Sequence, residues 1–418
     1  MHSVLVVGFN VRPLAYSLHT AGYKVYAVDF FGDLDLFPYV EEAKIILDEL
    51  GTQYKLMKDI YPEYLAHFAI DMLNKYDNID YLLIGSGLDD AFEERQMIQD
   101  YITESGYNLR SLNNEINLLK KARDIFYVYN ILSEKGFKFP KTFIFDENLV
   151  HSSIDFPFIL KRAESSGGIS ILKCENKDDL DTFLKMQHAK NISPNDYLIQ
   201  EYIEGIDVSC TTISDGKQNH VISINKQILG EKFLNAPKDF IYCGNVVPAN
   251  ILQKDRDKIR RISQFLTSEL GLKGIIGFDY VLHKHEAFLM EINPRIPGSI
   301  WASEKALDLN LLDLHVKCYA KKSHWPFIRK KLKKKSTNCF ATKLIFFAPQ
   351  TIKPKIIRSV NDLPYVHDKT PPKNKILKGD PICTIMHTGN KFAESYFAAL
   401  KKAENINRII KEKYNLSD

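Results

Sequence analysis

The chain has 418 residues, a formal net charge of +4 and an apolar share of 45% that includes 25 Phe and 21 Tyr. This is ample for packed cores in about three domains, or in two with an appendage. So mild a charge gives no reason to expect a nucleic-acid partner. No run approaches the roughly 20 apolar residues of a membrane helix, so no membrane partner is expected either. The opening MHSVLVVGFN moves straight into a strand and lacks the charged-then-apolar form of a signal peptide. The six cysteines (174, 210, 243, 318, 339 and 383) are scattered without a CxxC pair, which predicts a reducing cytoplasm and no zinc site.

SVLVVGF is a continuously apolar run, as expected of a strand covered on both faces. A helix over 12–21 and the strand YKVYAVDF, ending near Asp29, complete a β-α-β unit. The unit resembles a dinucleotide-binding one, but Gly8-Phe9-Asn10 is not GxGxxG and the signal is weak. A helical pattern over 64–75 and the strand IDYLLIGSG continue the alternation. Gly85, Ser86 and Gly87 fall where that strand ends, the usual ligand edge of an open α/β sheet. They either present backbone N–H groups to an anion of the substrate or form a tight turn.

The pattern turns helical from Leu112, and Asp124 is placed to cap a helix carrying Ile125, Val128 and Leu132. FPFILKRAESSGGISIL reads as strand, Lys161, a loop of Ser165, Ser166, Gly167 and Gly168, then a strand. One cation and backbone donors converging there suit a phosphate, and an ordinary hairpin with a loose turn is the alternative. In NDYLIQEYIEGIDVSCTTIS two apolar runs flank Ile203-Glu204-Gly205. If this is a hinge, the peptide groups of Glu201 and Ile203 are placed to read an adenine edge, and Asp207 to hold ribose hydroxyls. Residues 255–270 form an amphipathic helix with Ile259, Ile262, Leu266 and Leu270 on one stripe.

The most informative stretch is GIIGFDYVLHKHEAFLMEINPRIPGS, residues 274–299. Two apolar-rich runs, 275–282 and 287–292, flank a polar turn at 283–286 and predict a hairpin. Alternation puts Asp279 on a face with Gly277 and Val281, and Glu291 on a face with Leu289 and Asn293. A turn centred on His285 sets Asp279 opposite Glu291, where two like charges are destabilising. A divalent cation removes that penalty. Asp279, Glu291 and the amide oxygen of Asn293 are hard oxygen ligands of the kind Mg²⁺ takes beside nucleotide phosphates. Arg295, two residues on, is placed to neutralise charge developing on a phosphate or an acyl phosphate. A helix over 311–319 follows, then RKKLKKKS at 329–336, read as a solvated linker in preference to a track for RNA phosphates or a membrane surface. The tail holds the strands FATKLIFFA and DPICTIMHTG and a helix over 391–414.

Lys161, the Ser/Gly loop, Gln200-Glu201-Tyr202-Ile203-Glu204-Gly205, Asp279 and Glu291-Ile292-Asn293-Pro294-Arg295, in that order, resemble the ATP-grasp enzymes. More narrowly, they resemble ATP-dependent carboligases related to biotin carboxylase. The resemblance implies a mixed α/β and α+β chain: an N-terminal open α/β domain (1–111), an ATP-grasp domain (112–322, lid about 140–205) with a central antiparallel sheet, and a small C-terminal region (323–418). It implies ATP between two antiparallel sheets, with Lys161 on the α- and β-phosphates and Ser165, Ser166, Gly167 and Gly168 closing over them. Gln200, Glu201 and Ile203 would border adenine, Asp207 the ribose, and Asp279, Glu291 and Asn293 would hold Mg²⁺, with Mn²⁺ as a substitute. Arg295 would steady an acyl phosphate. Where such enzymes place an ATP-contacting Lys directly after the helix-opening Asp, this chain has Ile125, leaving Lys120 or Lys121 to replace it.

The activity implied is Mg-dependent ligation: a carboxylate takes the γ-phosphoryl group, an amine captures the acyl phosphate, and an amide, ADP and phosphate result. Small-molecule carboxylate and amine substrates are expected, among them an amino acid or a cofactor-biosynthesis intermediate. Biotin carboxylases carry a Glu four positions after the motif's Arg, where this chain has Ser299 behind Pro297 and Gly298, which counts against the alternative of a carboxylase. Gln227 and Tyr242 are further candidate substrate contacts, or loop packing. A homodimer is the commonest assembly for a soluble chain. The rival from another class is a nicotinamide-dependent oxidoreductase using Gly8 and Asp29.

Overall fold

The computed structural model describes all residues except 52–53, 58–59, 151, 163–167, 169, 190–192, 194–195, 335–338 and 416–418. The N-terminal part alternates as read: β1 (Ser3–Gly8), α1 (Arg12–Thr20), β2 (Lys24–Asp29), β3 (Glu42–Ile45), α2 (Ile46–Glu49), α3 (Tyr54–Met57), α4 (Tyr61–Lys75), β4 (Tyr81–Ile84), α5 (Phe92–Glu104) and β5 (Arg110–Ser111). Its five strands pair in parallel in the order β3-β2-β1-β4-β5. Every residue of β1 is buried, as its unbroken apolar run requires.

α6 (Ile116–Arg123) and α7 (Ile125–Glu134) follow. Asp124 caps α7, its side chain accepting from the N–H groups of Phe126 and Tyr127. The lid is β6 (Thr142–Ile144), β7 (Phe158–Arg162), β8 (Leu172–Cys174), α8 (Lys177–Ala189) and β9 (Tyr197–Glu201), with strand order β6-β9-β7-β8. The chain then enters a different sheet: β10 (Ile206–Asp215), β11 (Asn219–Leu229), β12 (Tyr242–Val247), α9 (Gln253–Glu269), β13 (Lys273–His283), β14 (Glu286–Asn293), α10 (Ile300–Leu307), α11 (Leu311–Cys318), α12 (Trp325–Lys333), β15 (Phe340–Phe347), α13 (Pro354–Asn361), β16 (Val366–His367), β17 (Pro381–Gly389) and α14 (Phe392–Asn415). Residues 202–205 thus cross between two sheets, the hinge read from the two apolar runs. The large sheet runs β14-β13-β10-β11-β12-β15-β17-β16, so the C-terminal strands extend the same sheet that carries the acidic hairpin.

Two expectations are corrected here. The basic run is no linker: residues 329–333 lie on α12, whose Ile328 and Leu332 are buried while the cations face outward. One turn of spacing between two apolar residues was enough to dock the helix despite its charge. The hairpin turn is also tighter than read. Lys284 and His285 alone form it, both with positive φ, and His283 pairs with Glu286. From that turn Asp279 would face Met290. A β-bulge between Asp279 and Tyr280 shifts the register by one, and Asp279 pairs with Glu291 after all. The same bulge breaks the alternation, so Leu289 does not share a face with Glu291. Leu289 pairs with Tyr280 and joins the core beneath with Phe278 and Ile292.

Buried polar ties hold the N-terminal domain on the large sheet. His315 accepts from the Ile275 N–H at Nδ1 (3.0 Å), and its Nε2 contacts the Leu112 carbonyl (2.9 Å). Burial lowers its pKa to about 4. Since the unfolded imidazole titrates near ~6.5, the unfolded state binds the extra proton between those values. Stability from this site is full above that range and is lost as the pH falls through about 4. Thermal melts should show the native chain losing more stability than His315→Gln between pH 7 and 4.5, by about 2 kcal/mol. Parallel curves would remove His315 from the account.

Candidate active site

Between the N-terminal domain, the lid and the large sheet lies one cleft of about 1940 Å³. The hairpin supplies its floor. Gln227 Nε2 donates to Asp279 Oδ1 (2.8 Å), and Asn293 Nδ2 donates to both Asp279 Oδ2 (2.9 Å) and Glu291 Oε1 (3.0 Å). Two facing carboxylates are thus bridged by amide hydrogens, and burial followed by the Glu291 charge pushes the Asp279 carboxyl well above its usual range. Among the described residues no three His, Cys, Asp or Glu side chains are placed to hold one metal ion, so amides complete this donor set. The chemistry fits a hard divalent cation. Its arrival would relieve the like-charge pair and turn the Asn293 amide so that oxygen faces the ion.

Arg295 does not hang free beside these acids. Its Nε donates to Asp89 Oδ1 (2.5 Å), a carboxylate at the end of the loop that follows β4. The neighbouring Asp90 takes Arg123 in a fork, Nε to Oδ1 (2.6 Å) and Nη2 to Oδ2 (2.7 Å), and Arg123 Nη1 lies 3.8 Å from Glu291 Oε2. Burial alone would raise Asp89, but Arg295 and Arg123 bring it down to about 2. Asp89, Asp90 and Arg123 were missed in the sequence, although only Leu88 separates the acids from the Gly-Ser-Gly loop and Arg123 directly precedes Asp124. Lys120 lines the cleft with its Nζ 5.4 Å from the Phe92 ring centre, while Arg123 Nη1 lies 3.8 Å from Glu291. Lys121 is not among the lining residues.

Lys161 enters from β7, flanked electrostatically by Glu291 and Arg123, and burial lowers its pKa to about 8. Ser165, Ser166 and Gly167 lie outside the described residues. Gly168 has φ +78°, and a Cβ there would run into the Phe240 carbonyl, so the lid loop touches the segment before β12 where only glycine fits. Gln200 lines the cleft but its Nε2 donates to Thr142 Oγ1 (2.8 Å) and Tyr129 Oη (3.3 Å), tying the lid to α7. The Glu201 N–H donates to the Lys141 carbonyl (2.8 Å) and its carboxylate accepts from the Lys141 N–H (3.0 Å); Ile203 lines the cleft from the crossing segment. Asp207 lies 3.8 Å from Lys226 Nζ, and burial raises its carboxyl.

Of the two readings for Gly85, Ser86 and Gly87, the structure favours the turn. Gly85 N–H donates to Val7 O (2.8 Å), Ser86 O accepts from Phe9 N–H (2.7 Å), and Gly87 N–H donates to Asp89 Oδ2 (3.1 Å). The loop's work is to present Asp89 and Asp90. Tyr242 donates to Asn245 Oδ1 (3.2 Å) over Gly298, whose carbonyl accepts from Lys343 Nζ (3.1 Å). Ser299 Oγ accepts from Asn225 Nδ2 (3.3 Å) and is buried. The nicotinamide reading loses its acid: Asp29 accepts from the N–H groups of Val11, Phe31 and Gly32 and is 1% exposed, out of reach of a ribose.

Residues 122–299 match the family model of the ATP-grasp domain. It is 28% identical over 397 residues to an uncharacterized protein of Methanocaldococcus jannaschii, covering 92% of this chain and 88% of the other. It is 24% identical over 289 residues to the tyramine–L-glutamate ligase of the same organism, covering 63% of this chain and 78% of the other. The structure superposes on an L-amino acid ligase from Bacillus licheniformis with a TM-score of 0.67 at 15% identity, over 97% of each chain. The mixed architecture of parallel and antiparallel sheets is that of the ATP-grasp fold. Among the described residues no helix is long and apolar enough to cross a membrane.

Proposed function

We propose that the chain is an ATP- and Mg²⁺-dependent ligase that joins a carboxylate to an amine through an acyl phosphate. The observation that carries this reading is the pairing of Asp279 with Glu291 in one cleft with Lys161, Arg123 and Arg295. In it, Asp279 and Glu291 hold the cation, with Asn293 turned to join them. Magnesium there supplies the positive charge that screens the transferring phosphoryl group. Lys161 meets the α- and β-phosphates, Ile203 and Glu201 border adenine, and Asp207 meets the ribose. Arg295, held in place by Asp89, faces the charge that builds on the acyl phosphate. Residues of the lid, Gly168 included, close over the phosphates and keep water from the intermediate.

The same residues speak against a carboxylase. Where that chemistry places a Glu, Ser299 is buried against Asn225 and offers no base. The test is to incubate the protein with ATP, Mg²⁺ and pools of carboxylates and amines, and to follow ADP and phosphate. Release stimulated only when an acid and an amine are both present supports the reading. Bicarbonate-stimulated release that no amine alters contradicts it.

Lys161 adds a pH signature. Below about 8 it is charged and attracts the triphosphate; above that value it loses its proton and the attraction with it. ATP affinity is expected to fall by up to about tenfold per pH unit above that point. Lys161→Arg, which keeps its charge, should flatten the profile. Calorimetric titrations between pH 7 and 9.5 decide it, and equal slopes for the two proteins would remove Lys161 from the phosphates.

A further inference from the structure

The cleft has a wall that the chemistry above does not use, lined by Asn10, Asp33, Lys343 and Asp368 from the N-terminal domain and the C-terminal strands. Four carboxylates gather here, and three are matched by donors. Asp29 takes three backbone N–H groups. Asp35 accepts from the N–H groups of Asp368 (3.1 Å) and Lys369 (2.8 Å). Asp368 accepts from Arg12 Nε (2.7 Å), while the Arg12 guanidinium stacks 4.1 Å from the Trp301 ring centre. Lys343, 7% exposed, donates to the Gly298 carbonyl.

Asp33 is the exception. It is 4% exposed, and its one side-chain donor is the Asn10 amide, 3.2 Å from Oδ2. Among the described residues Oδ1 accepts no hydrogen bond, and no cation lies within ion-pair distance of the carboxylate. Burial, then Asp368, Asp29 and Asp35, push its carboxyl well above the usual range, and the Arg12 charge, outside ion-pair distance, offsets this only in part. A buried carboxylate on a cleft wall without a cation of its own is costly until one arrives from the ligand. We propose that Asp33 receives an ammonium group of the substrate, one that does not itself react, and so selects acids or amines that carry a second, positively charged nitrogen. The reacting nitrogen must be uncharged to attack, so the ammonium held by Asp33 is a different one: the α-ammonium of an amino acid on the acid side, or the far end of a diamine on the amine side.

The inference rests on the ligase reading, and its test separates the two. Free α-amino acids are compared with their N-acetyl forms, and diamines with monoamines of equal length, in the ADP-release assay with the full chain. Asp33→Asn keeps an acceptor for Asn10 and removes a buried charge, so its melting temperature should not fall. KM for the ammonium-bearing member of a pair should rise about ten- to a hundredfold in Asp33→Asn, with KM for ATP and kcat nearly constant and Asp33→Glu regaining part of the loss. Equal KM values for native and Asp33→Asn with every ammonium substrate, or equal use of both members of each pair (acetylated and free acids, monoamines and diamines), overturn the inference while the ligase reading stands. If no pool stimulates ADP release, the ligase reading fails. The melting shift with propane-1,3-diamine and with free amino acids then decides alone: a shift in the native chain lost in Asp33→Asn upholds the ammonium site, and no shift overturns it.

Discussion

Glu291→Gln is expected to lower stimulated ADP release by about 10²–10³-fold without lowering the melting temperature. The two outcomes follow from one geometry. Glu291 lies directly across the bulged pair from Asp279, and both residues line the cleft. As a glutamine it keeps its shape and its bond to the Asn293 amide, but one of two anions that face the cation is gone. A metal-bound transferring group is stabilised by several kcal/mol, which is the rate loss stated. In the metal-free protein the same change removes a like-charge contact with Asp279 and also the attraction to Arg123 Nη1 at 3.8 Å, so the two effects offset and stability holds. A structural ion pair would behave in the opposite way, with stability falling and turnover unaffected. Turnover and melting measured on the same preparation distinguish the two roles.

Arg295→Ala is expected to lose both activity and stability. Its guanidinium and Asp89 are 15% and 4% exposed, so truncation leaves a buried carboxylate without its partner, at about 3–5 kcal/mol. Turnover should fall by about 10²–10³-fold as well, the effect of removing one donor aimed at developing charge. The double variant Asp89→Asn with Arg295→Met separates the losses. It removes both charges, so most of the stability should return while turnover does not. If activity returned with stability, Arg295 would be a strut and not a participant. Gly168→Ala is a probe of the lid: with positive φ and the Phe240 carbonyl in the way, it should raise KM for ATP several-fold and cost about 1–3 kcal/mol of stability.

How far these residues could be read from sequence depended on whether their partners were local. The hairpin was legible because its acids and its turn lie within twenty residues, although the route to the right register differed. A four-residue turn was expected, whereas a two-residue turn and a bulge give the same pairing. Bulges have no strong composition signal, and so the placement of Leu289 failed with it. The hinge was legible from two apolar runs that no single sheet would interrupt. Asp89, Asp90 and Arg123 were not, because their meaning lies in pairing with Arg295 and Glu291 across domain boundaries, and local periodicity carries no such information. The helical nature of 329–333 was hidden by its cations, since two buried side chains decide the fold of a segment that is otherwise basic. Asp33 gave no signal either: an Asp after a strand reads as a turn residue, and only the assembled cleft shows that among the described residues none donates to its Oδ1.

The central claim is that Asp279 and Glu291 grip one divalent ion beneath a triphosphate. Anomalous diffraction from crystals grown with Mn²⁺ and a non-hydrolysable ATP analogue tests it directly. The account predicts a manganese peak within bonding distance of both carboxylates and of a phosphate oxygen, with the Asn293 amide turned from the orientation in which it now donates to both acids. A peak elsewhere in the cleft, or nucleotide bound while Asn293 still bridges the two acids, would contradict it.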